Sequence, residues 1–280
     1  MRRLFGAIIA GVFVAGALQI ASEIAAGGLL YPMRRTAMVA TPSNCTDREF
    51  EGDGVRLRGW ECRAAGERRG TIVYLHGIAD NRSSSAGAIQ RFTAHGFDVI
   101  AYDSRRHGQS AGDVCTYGFY EKRDLRRVVD ALAPARIVLI GTSLGAAVAL
   151  QEAATDERIV AIVAAEVFSD LRAVASERAP WFLPSSALRK AFTIAEQRGR
   201  FEVGAVSPVE AARSVRVPVL LIHGAEDRDT PPTHSQRVYQ ALAGRKHLIL
   251  VPGAGHNHSL SDPNVWVEIE RWIENAVATS

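Results

Sequence analysis

The chain has 280 residues, 47% of them apolar and 22% charged, with a formal net charge of +3. That is enough apolar material to bury one ordinary core, which excludes an unstructured chain. The arginines are scattered rather than gathered on one face, which excludes the electrostatic footprint of nucleic-acid binding.

The first element in chain order is apolar. Met1-Arg2-Arg3 precedes Leu4 to Ser22, a run without a charged side chain that ends before Glu23. Its length reaches the threshold for spanning a bilayer and exceeds the roughly 7 to 15 residues of a signal-peptide core. The expectation is a single-pass membrane anchor over residues 1–23, a tether over 24–44 and a globular domain over 45–280. The N-terminal arginines would keep that end cytoplasmic and send the domain across, although Arg34 and Arg35 weaken the bias. Small residues at Ala21, Ala25, Ala26 and Gly27 leave a cleaved signal and a secreted domain as an alternative. A third reading packs the helix on the domain.

The next element is a hairpin. If Asp53-Gly54 is a two-residue turn, positions whose numbers sum to 107 face each other, which places Cys45 opposite Cys62 on a non-hydrogen-bonded pair. A disulfide there, suited to an exported domain, stands beside the alternative of two unlinked thiols. Cys115 is left over.

From residue 71 onward, apolar β-branched runs alternate with helical stretches, the signature of parallel βα units. Strands are expected over 71–75, 98–102, 136–140, 159–164, 218–222 and 247–251, and helices over 84–94, 121–132, 144–155, 233–242 and 264–278. Near-continuous apolar strands imply a sheet covered on both faces. The alternation breaks over 169–207, where a helix over 186–197 follows Trp181 and Phe182. This insertion is expected to lie above the sheet as a small cap.

The strand at 136–140 runs into Gly141-Thr142-Ser143-Leu144-Gly145 and then a helix. Gly-x-Ser-x-Gly at a strand-to-helix bend lifts the serine hydroxyl clear of the chain, with small neighbours allowing the fold-back. Gly108-Gln109-Ser110-Ala111-Gly112 fits the same pattern but follows a charged run and opens no helix, so Ser143 is the candidate nucleophile. Serine needs a base to take its proton and a third group to orient that base. Two later strands run into His223-Gly224-Ala225-Glu226-Asp227 and Gly253-Ala254-Gly255-His256, past the carboxyl ends where open sheets build their sites. Asp227 competes with Glu226, Asp229 and Asp170 as the acid, and His256 with His258 as the base.

These motifs, with His76-Gly77-Ile78 and Asp103 to Ser110, make the chain resemble the α/β-hydrolase fold family over roughly residues 45 to 278. With the N-terminal apolar run, it looks most like the BEM46-like group of membrane-anchored hydrolases, also described as alpha/beta hydrolase domain-containing proteins. Where the family shows Asp-x-Arg-Gly-His-Gly, this chain has Arg106 in place of the first glycine. The resemblance implies a doubly wound, mostly parallel sheet. It further implies Ser143, Asp227 and His256 as a catalytic triad, with the N–H groups of Ile78 and Leu144 as the oxyanion hole. Hydrolysis of a carboxylic ester or thioester through an acyl-serine follows, with lipidic or acyl-chain substrates among those the resemblance implies. A peptidase on the same triad and a non-catalytic membrane-tethered binding module are the alternatives. Such chemistry needs no cofactor, and no His or carboxylate cluster has metal-ligand spacing. Trp181 and Phe182 are candidates for an acyl pocket, for membrane contact or for packing the cap on the sheet.

Overall fold

Side-chain alternation along parallel strands decides the architecture. The computed structural model describes residues 2–36, 40–133 and 136–278. Among these, β1 (Cys45–Glu51), β2 (Arg56–Cys62), β3 (Gly70–Leu75), β4 (Phe97–Tyr102), β5 (Ile137–Thr142), β6 (Ile159–Ala165), β7 (Val219–Gly224) and β8 (Lys246–Val251) form one sheet. Their spatial order is β1-β2-β4-β3-β5-β6-β7-β8. β2 is antiparallel to both neighbours and every other pairing is parallel. The helices are α1 (Arg2–Leu30), α2 (Ala86–Ala94), α3 (Glu121–Asp130), α4 (Leu144–Ala153), α5 (Leu171–Glu177), α6 (Ser185–Gly199), α7 (Pro208–Ala212), α8 (Thr233–Ala241) and α9 (Pro263–Ala278).

Successive strand residues face opposite sides, so β3 sends Ile72 and Tyr74 one way and Val73 and Leu75 the other. The first pair joins Ile89 and Phe92 of α2 and Ile269 and Ile273 of α9. The second joins Leu125 and Val128 of α3 and Leu144 and Val148 of α4. Both faces are therefore covered, as the unbroken apolar strands require. Each fully buried Val, Ile or Leu contributes on the order of 1.5–3 kcal/mol.

The N-terminal hairpin keeps the expected register. Gly52 N–H donates to Val55 O at 2.8 Å around Asp53-Gly54, with Gly54 in the left-handed region at φ 73°. Cys45 pairs with Cys62 across the ladder, and the two form a disulfide. Cys115 is a buried free thiol.

The N-terminal segment departs from the expected anchor. Among the described residues no helix is long and apolar enough to cross a membrane. The single-pass anchor, the membrane as partner and the extracytoplasmic placement built on it are therefore set aside. The side chains of residues 1–14 lie outside the described residues. From residue 15 on, the reason is packing: α1 continues into the first part of the stretch expected as a tether, as far as Leu30, and lays Ser22, Ala26 and Leu30, each 0% exposed, against the domain. Glu23 pairs with Arg198 of α6 at 2.6 Å, Leu30 fits over Gly199, and Leu30 O accepts from Cys115 N–H at 2.9 Å. The described part of the helix thus buries Ser22, Ala26 and Leu30 on protein and pairs its acid with an arginine.

Between β6 and β7 the chain forms α5, α6 and the short α7. Asp170, one of the candidate acids, caps α5 by accepting from Ala173 N–H at 2.7 Å.

Candidate active site

The bend between β5 and α4 is tight enough to dictate its residues. Ser143 occupies it alone, at φ 48° and ψ −108°, a left-handed conformation that costs a non-glycine residue about 1–3 kcal/mol. A Cβ on Gly145 would lie 2.1 Å from Leu75 O, and one on Gly141 would lie 2.4 Å from the Gly145 carbonyl carbon. Only glycine lets helix and strand approach so closely. The bend is held by Ser143 N–H donating to Ala165 O at 2.8 Å and Ala147 N–H donating to Ser143 O at 3.1 Å. Ser143 is 4% exposed, and its Oγ makes no hydrogen bond with the described residues.

Past β7 the chain turns through Gly224 and buries Asp227. Its Oδ1 accepts the N–H groups of Asp229 and Thr230, each at 2.9 Å. Its Oδ2 lies 2.7 Å from His256 Nδ1 and 3.2 Å from His223 Nε2. A carboxylate can only accept, so His256 carries its proton on Nδ1 and leaves Nε2 as the free ring nitrogen. Burial raises the Asp227 carboxyl, but hydrogen bonds from His223, His256 and the Thr230 N–H outweigh it and hold the group below the ordinary carboxylate range. Glu226, Asp229 and His258, the rival candidates, are exposed.

The third piece is the loop after β3. Gly77 packs on the bend, where a Cβ would lie 3.6 Å from Ser143 Cβ. His76 fixes the loop by donating from Nδ1 to Gly77 O at 2.7 Å and accepting Ser104 N–H on Nε2 at 3.0 Å. Burial lowers its pKa, which keeps the ring neutral and able to accept. Neither Ile78 N–H nor Leu144 N–H has a hydrogen-bond partner among the described residues. Leu144 is the first residue of α4, where the helix leaves amides unpaired.

The Asp103 loop buttresses these pieces. Asp103 accepts Arg82 N–H at 2.7 Å, the Arg82 guanidinium at 2.5 Å and Gln109 N–H at 2.8 Å. Ser110, the discarded serine, staples the loop by donating to Asp103 O at 2.5 Å and accepting Arg58 N–H at 2.8 Å. Arg106, standing where the family has glycine, adopts the glycine conformation at φ 66° and lays its cation 5.9 Å from the centre of the Tyr31 ring.

A polar cavity of about 570 Å³ opens beside the bend, lined in part by Ile78, Thr142, Glu166, Asn257 and Trp266. An apolar cavity of about 310 Å³ lies between α1, α5 and α6, with Leu29, Leu171, Leu183 and Leu188 in its walls. Trp181 and Phe182 are 95% and 69% exposed and meet edge-on, so they do not pack the cap on the sheet; Trp181 lines a third, open cavity of about 540 Å³ with Pro180, Leu183 and Phe192. Sequence reasoning also overlooked Glu166, a buried carboxylate beside this site. It sits in no motif, and its left-handed backbone at φ 56° leaves no trace in a pattern of apolar residues.

Comparison with known proteins places this fold. Residues 72–269 match the alpha/beta hydrolase family. The protein YqkD of Bacillus subtilis is 33% identical over 197 residues, covering 66% of this chain and 64% of that protein. The alpha/beta hydrolase domain-containing protein WAV2 of Arabidopsis thaliana is 27% identical, covering 69% of this chain and 65% of that one. An esterase of Pyrococcus furiosus shares the fold with a TM-score of 0.71 at 23% identity, over 89% of this chain and 98% of its own. An eight-stranded, mostly parallel sheet, a glycine-flanked serine bend and a family match across most of the domain agree: this chain belongs to the alpha/beta hydrolase family.

Proposed function

We propose that the protein is a serine hydrolase that cleaves a carboxylic ester or thioester through an acyl-serine intermediate. The observations that support the reading are the 2.7 Å bond between His256 Nδ1 and Asp227, which leaves Nε2 as the free ring nitrogen, and the left-handed backbone of Ser143 at the bend. Ser143 Oγ attacks the carbonyl carbon while His256 Nε2 takes its proton. The carbonyl oxygen, now negative, receives the N–H groups of Leu144 and Ile78. His256 returns the proton to the leaving alkoxide or thiolate, and water then repeats the cycle on the acyl-serine. The hydrogen bond from Oγ to the ring forms as substrate binds, since such bonds tighten in the Michaelis complex. The narrower likeness to the BEM46-like group is supported by the Arabidopsis relative's description as an alpha/beta hydrolase domain-containing protein.

The test is fluorophosphonate labelling of the full chain together with turnover of p-nitrophenyl esters from acetyl to palmitoyl. Labelling and turnover should vanish in Ser143→Ala and persist in Ser110→Ala if the latter folds. Absence of both in the wild-type chain would move the reading to a non-catalytic binding protein on the same fold.

A further inference from the structure

We propose that Glu166 is a positioning residue for His256: it holds the loop carrying the ring and is needed for proton transfer at Ser143, although it touches neither. The proposal rests on the serine-hydrolase reading above.

Glu166 follows the last residue of β6 and links the segments that carry the serine, the acid and the base. One residue earlier, Ala165 O accepts the Ser143 N–H at 2.8 Å. Glu166's own N–H donates to Ile222 O at 2.8 Å, next to His223 on the strand that delivers Asp227. Its carboxylate then reaches the base. Oε2 accepts Asn257 N–H at 2.7 Å, and Oε1 accepts Ser259 N–H at 3.2 Å and Ser259 Oγ–H at 2.8 Å. The residue after His256 is thus tied directly to the end of β6, beside the strand that leads into Ser143.

The chemistry of the contact explains a carboxylate here. Three donors converge on one side chain that is 1% exposed. A carboxylate offers two acceptor oxygens and no donor, and charge-assisted bonds to it are stronger than neutral ones. Burying it costs free energy that only such a full set of donors offsets. Asn257 sits at φ 63°, so the chain reverses in the left-handed region right after His256. A loop held in that conformation by two N–H bonds gives the ring one placement. Glutamine would turn an NH2 towards at least one of these donors, and the loop would lose that placement.

The experiment compares Glu166→Gln with wild type, alone and in a His256→Ala background, on the best p-nitrophenyl ester. Ser143→Ala defines the background rate. We expect kcat to fall on the order of 10- to 100-fold with KM within about threefold, because a misplaced base slows chemistry without removing substrate contacts. In the His256→Ala background the same substitution should change the residual rate less than about twofold, since a residue acting through His256 has nothing left to position. Ser259→Ala, which removes one of the three donors, should lower kcat by roughly threefold to tenfold with the same dependence on His256. It carries the test if Glu166→Gln does not fold. An unchanged kcat, or an equal loss with and without His256, overturns the positioning role while leaving the hydrolase reading intact. No Ser143-dependent turnover in wild type overturns both.

Discussion

His223 Nε2 stands 3.2 Å from the same Asp227 oxygen that His256 Nδ1 holds at 2.7 Å. One carboxylate oxygen thus lies between two imidazoles. His223 is itself locked, with Nδ1 2.6 Å from Ser235 Oγ and Nε2 2.7 Å from Thr230 O.

Replacing His223 should therefore loosen Asp227. His223→Asn is expected to lower kcat about tenfold with little change in KM, because Asp227 orients the base rather than the substrate. The folded Asp227 carboxyl lies below its unfolded value of about 3.9. Its contribution to stability is therefore present above that pH and is lost as pH falls below it. His223→Asn weakens the depression, so the stability gap between variant and wild type should be widest at neutral pH and narrow under acid. Urea titrations at pH 7 and pH 3 measure it; a gap that widens with acid would reverse the assignment.

The serine bend makes a steric prediction. Gly145→Ala places a methyl 2.1 Å from Leu75 O, a backbone atom that cannot swing aside. A loss at or above the usual range of about 1–3 kcal/mol for overpacking is expected, along with lost activity. Gly204→Ala, where nothing lies within 4 Å, is the control. Thermal unfolding followed by circular dichroism separates the two.

The hairpin bridge should be visible by mass. Unfolded without reductant, the protein should accept one alkyl group, on Cys115, and with reductant it should accept one on each of its 3 cysteines. Cys45→Ser should cost about 3 kcal/mol, as expected for closing a loop of 17 residues.

Docking of α1 predicts a contrast within one helix. Leu30, fully buried under α6, should cost about 2–5 kcal/mol when changed to alanine. Ile24, 71% exposed, should change stability by no more than about 0.5 kcal/mol. A helix serving only as a tether would leave the domain indifferent to both changes, which guanidinium unfolding decides.

The parallel strands, the hairpin register and the serine bend were legible because each is a local code. Unbroken apolar, β-branched runs mark the buried strands, Asp53-Gly54 aligns Cys45 with Cys62, and Gly141 and Gly145 announce a close approach that a Cβ would block. Asp227 was legible only as one of four acids. Its neighbours Glu226 and Asp229 lie on the same loop, and burial and backbone donors, which no spacing encodes, single it out. Arg106 hid its conformation, since an arginine gives no sign of a positive φ.

The sequence by itself determined the order of elements and the chemical types at the strand ends, because hydrophobic periodicity and turn chemistry act over a few residues. Tertiary structure alone decided that α1 lies on α6, that Trp181 and Phe182 stand in solvent, and that His223 and Glu166 reach the acid and the base. Those outcomes depend on contacts between residues far apart in the chain, where the free energy of burying an apolar stripe or satisfying a buried carboxylate is settled by what the fold brings alongside.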